Sequence, residues 1–408
     1  MTSAADFLSS LQKVLAYCEK KQWTGYDPYD VLLSPFPFRR FGKWPAIAAT
    51  QIQKRNPFQL RPLLGIPPQI NPKAMALFLQ AYSLLYASDK KQEYLQKADF
   101  FFRWLKENAS PAFSGKAWGY PFPWISPLKF IPAGIPSAVV TAFVSKGVYE
   151  YYLATAGREA CEVLEDISSF ILNDLHQTSD HTGICFSYTP LARDCCYNAS
   201  LLAAETLAMT YSVTGKEDLR NLLRNKISNS LGFILSRQKA DGRWNYSLDE
   251  TTGREREQID FHQGFVLESL YEIVRLTGIM EDRVKEAVIQ GLFFYREKLF
   301  DSGGRARWRY PRSWPSDIHH LAQGVITFTK LDHWVPGSAA FAEKIASWTV
   351  RHMQKKDGSF SYRKHRWYTN SLSYMRWGQA WMVLALTVLT SKRKNGPDNK
   401  DTLERNGQ

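Results

Sequence analysis

An aromatic–x–Tyr triplet returns five times along the chain, at Trp118-Gly-Tyr120, Phe186-Ser-Tyr188, Trp244-Asn-Tyr246, Trp308-Arg-Tyr310 and Phe360-Ser-Tyr362. A looser copy stands at Trp23-Thr-Gly-Tyr26. The strict tyrosines lie 68, 58, 64 and 52 residues apart, and two copies share a longer form, RQKADGRWNY and MQKKDGSFSY. A period of this length marks one supersecondary unit repeated, each copy burying its apolar face only against its neighbours.

The flanks of the triplets say what the unit is. Amphipathic stretches at about 3–22, 91–108, 158–175, 216–236, 281–297 and 337–354 alternate with more apolar ones at about 71–87, 136–156, 197–214, 261–277, 317–331 and 371–391. Strand-period alternation is scarce, so the chain reads as nearly all helix. Asn71-Pro72 is a cap followed by proline at the first helical position, and Asn198, Asp260, Asp317 and Asn370 sit where caps belong. The prediction is an all-α chain folded as one (α/α)6 toroid of six helical hairpins over residues 1–391, the apolar set inside and the amphipathic set outside. The last inner helix has no outer helix after it, so 3–22 is expected to close the ring. An excursion over 27–70, rich in Pro and Phe, is expected to cover part of the mouth, and 392–408 to form a disordered tail.

Composition narrows the function. With 44% hydrophobic residues in 408, the chain can bury a large core. The first twenty or so residues are amphipathic with no apolar signal region, and the longest apolar run, AWMVLALTVL, is half a membrane span. A soluble, cytoplasmic protein without a transmembrane segment is expected. Five cysteines without CxxC spacing argue against a disulfide framework and a zinc site; no metal or cofactor is expected. The net charge of +13 is uneven: residues 1–136 carry 17 basic and 8 acidic side chains, 351–408 carry 12 and 4, and the middle carries 23 and 27. The basic ends suit an anionic polymer, a phosphate-bearing ligand or peripheral contact with an acidic membrane, or are simply a solvated face. No nucleic-acid motif is present.

In such a ring the inner helices run parallel, so six N-termini converge at one mouth, each with free N–H groups and partial positive charge. Two entrances match, Asp260-Phe-His262-Gln263 and Asp317-Ile-His319-His320. Either the aspartates cap and the histidines fill the core, or His262 and His319, with His320 beside them, face the cavity as acid/base or carboxylate-binding groups. No carboxylate at ligand spacing favours a metal. Tyr246 and Tyr310 can serve proton transfer beside a carboxylate, or simply stack to close their hairpins. Arg376, in an apolar helix with Tyr374, either binds a carboxylate or phosphate or belongs to an internal ion pair. Asp27 and Asp30 in GYDPYD, after Tyr26, are the best carboxylate pair for hydrolysis or sugar binding, and also good turn chemistry. Trp118, Tyr120, Trp124 and Trp308 can stack sugar rings or pack the core; Asn198, Asp260 and Asp317 complete the candidate rim.

Taken together, these features resemble the α/α-toroid superfamily over nearly the whole chain. GFILSRQKADGRW is similar to the glutamine–tryptophan repeat of squalene-type terpenoid cyclases. WTGYDPYDVLLSP and WGYPFPW resemble a bacterial toroid family encoded beside cell-surface polysaccharide genes. That family carries an acid where this chain has Pro123, so no catalytic carboxylate transfers to that position. The C-terminal half resembles the helical domain of glucuronyl C5-epimerases. The resemblance implies six-hairpin glycosidase-like architecture. The mouth residues favour an enzyme of polysaccharide metabolism moving a proton on a uronate, as a lyase or epimerase, with an anionic or lipid-linked saccharide as partner. A terpenoid-handling toroid, without the DxDD motif, and a non-catalytic polysaccharide-binding scaffold are the alternatives.

Overall fold

Helices that are apolar on every side must go inside, and this chain has six of them. The computed structural model describes residues 4–127 and 129–394. Its inner helices are α3 (Pro72–Asp89), α5 (Ala138–Thr155), α7 (Tyr197–Val213), α9 (His262–Thr277), α11 (Ile318–Lys330) and α13 (Ala380–Lys394). In α5 every residue from Ala138 to Tyr149 is buried. The outer helices are α1 (Ala4–Lys20), α4 (Gln92–Glu107), α6 (Arg158–Asn173), α8 (Glu217–Leu235), α10 (Glu281–Leu299) and α12 (Ser338–Met353). These bury one stripe only: α4 buries Ala98, Phe101, Phe102 and Leu105, the i, i+3, i+4, i+7 face of an amphipathic helix. Successive inner helices pack side by side, α13 closes on α3, and α1 backs α13, so the ring closes as the alternation predicts.

The true invariant of the repeat is a glycine rather than the aromatic. In five of the six repeats, between the outer helix and the next inner one, Gly115, Gly183, Gly242, Gly304 and Gly358 press on the backbone of the following outer helix. A Cβ on them would lie 1.9–2.6 Å from Asp166, Asn229, Gln290, Lys344 or Lys13 backbone atoms, so no other residue fits. In the two extended copies the preceding glutamine repeats one job. Gln238 Nε2 donates to Gly242 O at 3.0 Å and Ala287 O at 2.8 Å, while Gln354 Nε2 donates to Gly358 O and Ser10 O at 3.0 Å each. Counted from the glycines, Trp244, Ala306 and Phe360 are equivalent, each buried. The Trp308 copy is therefore two residues out of register with the triplet reading.

Several local details depart from expectation. Asp317 caps α11, accepting from His319 N at 3.0 Å, and Asn71 caps α3, accepting from Lys73 N at 3.0 Å. Asn198, however, lies inside α7, not at its cap, because the chain turns helical at Tyr197. Asn370 precedes a loop and a π-turn over Met375–Gln379, so the last inner helix begins later than residue 371. The excursion holds a thirteenth helix, α2 (Lys43–Arg55). Short antiparallel ribbons join neighbouring repeats, pairing Asp317 with Arg363 and Cys196 with Ser247. Of the tail expected over 392–408, residues to Lys394 belong to α13 and the rest lie outside the described residues.

Toward the C-terminal ends of the inner helices, the barrel is barred by charge. Lys146 bonds Glu205 at 2.8 Å and Glu268 at 3.1 Å; Lys330 bonds Glu268 and Glu272 at 2.9 Å each. Burial alone pushes these carboxyls up, but the two ammonium groups hold Glu268 well below the usual range. The opposite, N-terminal end stays open.

Candidate active site

At that open end a cavity of about 900 Å³ is lined by residues at or just before the start of each inner helix, among them Lys73, Ser137, Asn198, His262, His319 and Arg376. Its wall carries eight Lys or Arg side chains, among them Lys73, Arg256, Arg309, Arg312 and Arg363, and only two carboxylates, Asp260 and Asp317. Both carboxylates already face cations. Asp317 accepts from Arg363 Nε at 2.7 Å and from Trp377 Nε1 at 2.8 Å. Asp260 lies 3.6 Å from Arg309 Nη2 and 2.5 Å from His262 Nδ1. The site therefore has positive charge to spare and suits an anion.

The histidines form a layered stack. The Phe261 ring centroid lies 4.2 Å from that of His262 and 4.5 Å from that of His319, and His319 continues onto Trp381 at 4.4 Å. His262 is half-buried and its Nδ1 is held by Asp260, which leaves Nε2 as the working nitrogen. Asp260 Oδ1 also accepts from the His262 backbone N–H at 3.2 Å, so one carboxylate sets both main chain and ring. Burial pushes the Asp260 carboxyl up, but His262 and Arg309 hold it below the ordinary value. His319 is 2% exposed with no protein partner at either ring nitrogen. Burial, reinforced by Lys73 and Arg376, holds its imidazole neutral. Tyr246 stands edge-on to His262 at 5.0 Å, and burial keeps its phenol protonated.

His320 lies behind the stack, against Tyr295 and Phe300. Burial pushes its imidazole down to about 4, against the pull of Asp260 and Asp317. Because the folded value lies below the unfolded one, the neutral ring contributes full stability above the unfolded value. That contribution is lost as pH falls from the ordinary histidine range toward 4. The loss amounts to about 3 kcal/mol. Urea unfolding at pH 7 and pH 4 checks it: His320→Phe is expected to lose less stability across this window than the unmodified protein. Equal losses would exclude His320 as the source.

Of the residues singled out in the sequence, Tyr120, Trp124, Asn198, Trp308 and His320 join Tyr246, Asp260, His262, Asp317, His319 and Arg376 around the cavity. Six others stay outside it. Asp27 bonds Arg376 through two nitrogens, at 2.5 and 2.7 Å, and Asp30 bonds Arg61 at 2.7 Å. The carboxylate pair is thus internal, with Tyr26, flanking a small cleft beneath the excursion. The same pairing occupies the face of Arg376 that an external carboxylate would need. Trp118 is a hairpin closer, its indole donating to Leu105 O at 2.9 Å as Trp244 does to Ile234 O. Tyr374 is buried against Tyr362, and Tyr310 points outward, 40% exposed. Tyr188, noted in the sequence only as a member of a triplet, lines the cavity beside Tyr120 and Tyr246.

Lys73, Lys54 and Arg363 were missed. Lys73 is 2% exposed and has no carboxylate within ion-pair distance among the described residues; its ammonium sits 3.9 Å from the Phe143 ring. Burial, then Arg376 and Lys146, push its amine well below the usual lysine range. Lys54 reaches in from α2 to bond Tyr29, and burial pushes it down to about 7. The signal that picked out Arg376, a cation in an apolar inner helix, is present at Lys73 too, but its place in the first turn after the Asn71 cap disguises it.

No protein-family model matches the chain, and no curated protein matches it in sequence. Solved structures do. Cellobiose 2-epimerase from Bacillus thermoamylovorans superposes with a TM-score of 0.62 at 16% identity, covering 79% of this chain and 88% of that one. A possible member of the GH105 family from Salmonella enterica gives 0.62 at 12% identity, covering 96% and 95%. An unsaturated glucuronyl hydrolase specific for heparin gives 0.58 at 12%, covering 81% and 90%. The chain has the fold of the six-hairpin glycosidase-like α/α toroids. At these identities the likeness concerns the fold; it assigns no reaction.

Proposed function

We propose that the protein is a carbohydrate-active enzyme that moves a proton on a uronate of an anionic saccharide, as a lyase or a C5-epimerase does. One observation carries the reading: a cavity with eight Lys or Arg side chains, only some of them ion-paired, against two ion-paired carboxylates holds two histidines that both pack on the Phe261 ring. The cationic wall, Arg309 and Arg312 included, binds the uronate carboxylate and stabilises the charge that develops there when the adjacent C5–H bond breaks. Neutral His319 or Asp260-oriented His262 takes that proton. In a lyase the electron pair becomes the C4–C5 double bond, the C4–O bond breaks, and Tyr246 protonates the leaving oxygen. In an epimerase a second acid of the wall returns a proton to the other face of the planar intermediate, the protonated Tyr246 phenol being the one at hand. Aromatic walls at Tyr120, Trp124 and Trp308 suit stacking on sugar rings.

The names of the structural neighbours, an epimerase and a glucuronyl hydrolase among them, support a saccharide substrate. Hydrolysis through two carboxylates is less well supported, since Asp260 and Asp317 are both ion-paired and Asp27 and Asp30 are internal. A terpenoid substrate would want an apolar lining, which so many cations oppose.

The test is incubation with uronate-containing and neutral oligosaccharides in deuterated buffer. Deuterium incorporation at the uronate, or ultraviolet absorbance from an unsaturated product, is expected with the uronates alone. If neither develops on any uronate, the reading fails.

A further inference from the structure

The excursion before α3 has an exterior that water does not favour. Between Val31 and Ile70 the chain carries six Lys or Arg and no Asp or Glu. In the same segment Phe36, Phe41, Trp44, Ile52, Phe58 and Leu63 are 54–84% exposed. They are not scattered: the Phe36 ring lies 5.8 Å from Phe41, the turn holding Phe41 packs on α2, and Gly65 rests on Pro35.

Helix α2 is inverted relative to an ordinary surface helix. It buries the small or polar Ala46, Thr50 and Gln53 and turns Trp44, Ala48 and Ile52, each one turn apart, to the outside. A third side, with Ile47, Gln51 and Lys54, lines the cavity. Of the segment's six cations only Arg61 has a carboxylate partner among the described residues; Arg39, Arg40, Lys43 and Arg55 are exposed without one. Charge selects the occupant of this face. A second copy would set these cations against each other, whereas an anionic bilayer offers phosphates to the cations and a headgroup boundary to Trp and Phe.

We propose that residues 35–63 dock the molecule on an anionic phospholipid surface, Phe41, Trp44 and Ile52 entering the headgroup boundary and Arg39, Arg40 and Lys43 meeting lipid phosphates. No helix among the described residues is long and apolar enough to cross a membrane, so the contact is peripheral. Docking places α2 between the bilayer and the cavity, within reach of a saccharide carried on a lipid; that last clause rests on the saccharide reading above, and the docking does not.

Co-sedimentation of the full chain with phosphatidylcholine vesicles, with and without about one-third phosphatidylglycerol, tests it. Binding is expected only to the anionic vesicles and is weakened by salt. Arg39→Gln/Arg40→Gln/Lys43→Gln is expected to lose about a hundredfold in partitioning, near fivefold per cation. Trp44→Ser/Ile52→Ser is expected to lose about tenfold or more, with circular dichroism and melting unchanged. Equal binding to neutral vesicles, no binding at all, or wild-type partitioning by both variants overturns the proposal. So does a dimer that Trp44→Ser/Ile52→Ser dissolves in a protein that ignores vesicles. Deuterium exchange on soluble uronates is read separately, so docking and reaction fail independently.

Discussion

His262→Ala is expected to lower turnover on a uronate-containing saccharide by about 10²–10⁴-fold, the range for loss of a positioned general acid or base. Only Nε2 of this ring is free for substrate, because Nδ1 sits 2.5 Å from Asp260 Oδ1. Asp260→Asn sharpens the test. The amide cannot hold the imidazole in the same tautomer or stabilise its charged form, so a comparable loss in kcat is expected with little change in KM. Solvent-deuterium exchange and melting temperature, measured on both variants, separate chemistry from folding. An exchange rate within a few-fold of wild type in both would leave the dyad as a structural element in the Phe261 stack.

Glu268→Ala is expected to destabilise the fold by about 3 kcal/mol, through the loss of several buried, charge-assisted hydrogen bonds at once. Glu268 touches Lys146 at 3.1 Å, Lys330 at 2.9 Å and Gln323 Nε2 at 2.9 Å, all inside the barrel. Removing it leaves two buried ammonium groups to share the remaining carboxylates, Glu205 and Glu272. Each cation then keeps one carboxylate, Glu205 for Lys146 and Glu272 for Lys330, but loses the one the two share, and Gln323 loses its acceptor. Urea unfolding at neutral pH measures the loss, and Glu268→Gln, which keeps the shape, should recover only a minor part of it. A midpoint unchanged in both variants would show that Glu205 and Glu272 suffice for the two lysines.

Much of the architecture was legible because two periods overlap in the chain. A helical period of alternating richness separates inner from outer helices, and the longer period of aromatic triplets counts the hairpins. Both are written in one dimension, and so was the closing role of helix α1, which follows from an unpaired last inner helix. The anchor of each repeat was harder to see, because glycines such as Gly304 act through an approach to another helix's backbone that no local pattern records. That is why Trp308 was read as a hairpin closer's equivalent, while Ala306 occupies the place.

The site divides along the same line. Asp260-Phe-His262 and Asp317-Ile-His319 were visible from the sequence, since two matching entrances in equivalent repeats are a one-dimensional fact. Asp27 and Arg376 were each visible too, but 349 residues separate them and only ring closure makes them partners. Their pairing removes a carboxylate and a cation from the chemistry at one stroke. Lys73 was hidden for the opposite reason: next to a cap it looks like an ordinary first-turn residue, and only the surrounding Phe143, Phe265 and Trp381 rings make it a buried amine.

The sequence by itself determined the order and sidedness of the ring helices, because burial of apolar stripes depends on spacing along one element. The tertiary structure alone decided which charges neutralise each other, which tyrosines face the cavity and how cationic that cavity is. Coulomb and desolvation energies depend on distances between residues far apart in the chain, and those distances exist only once the ring has closed.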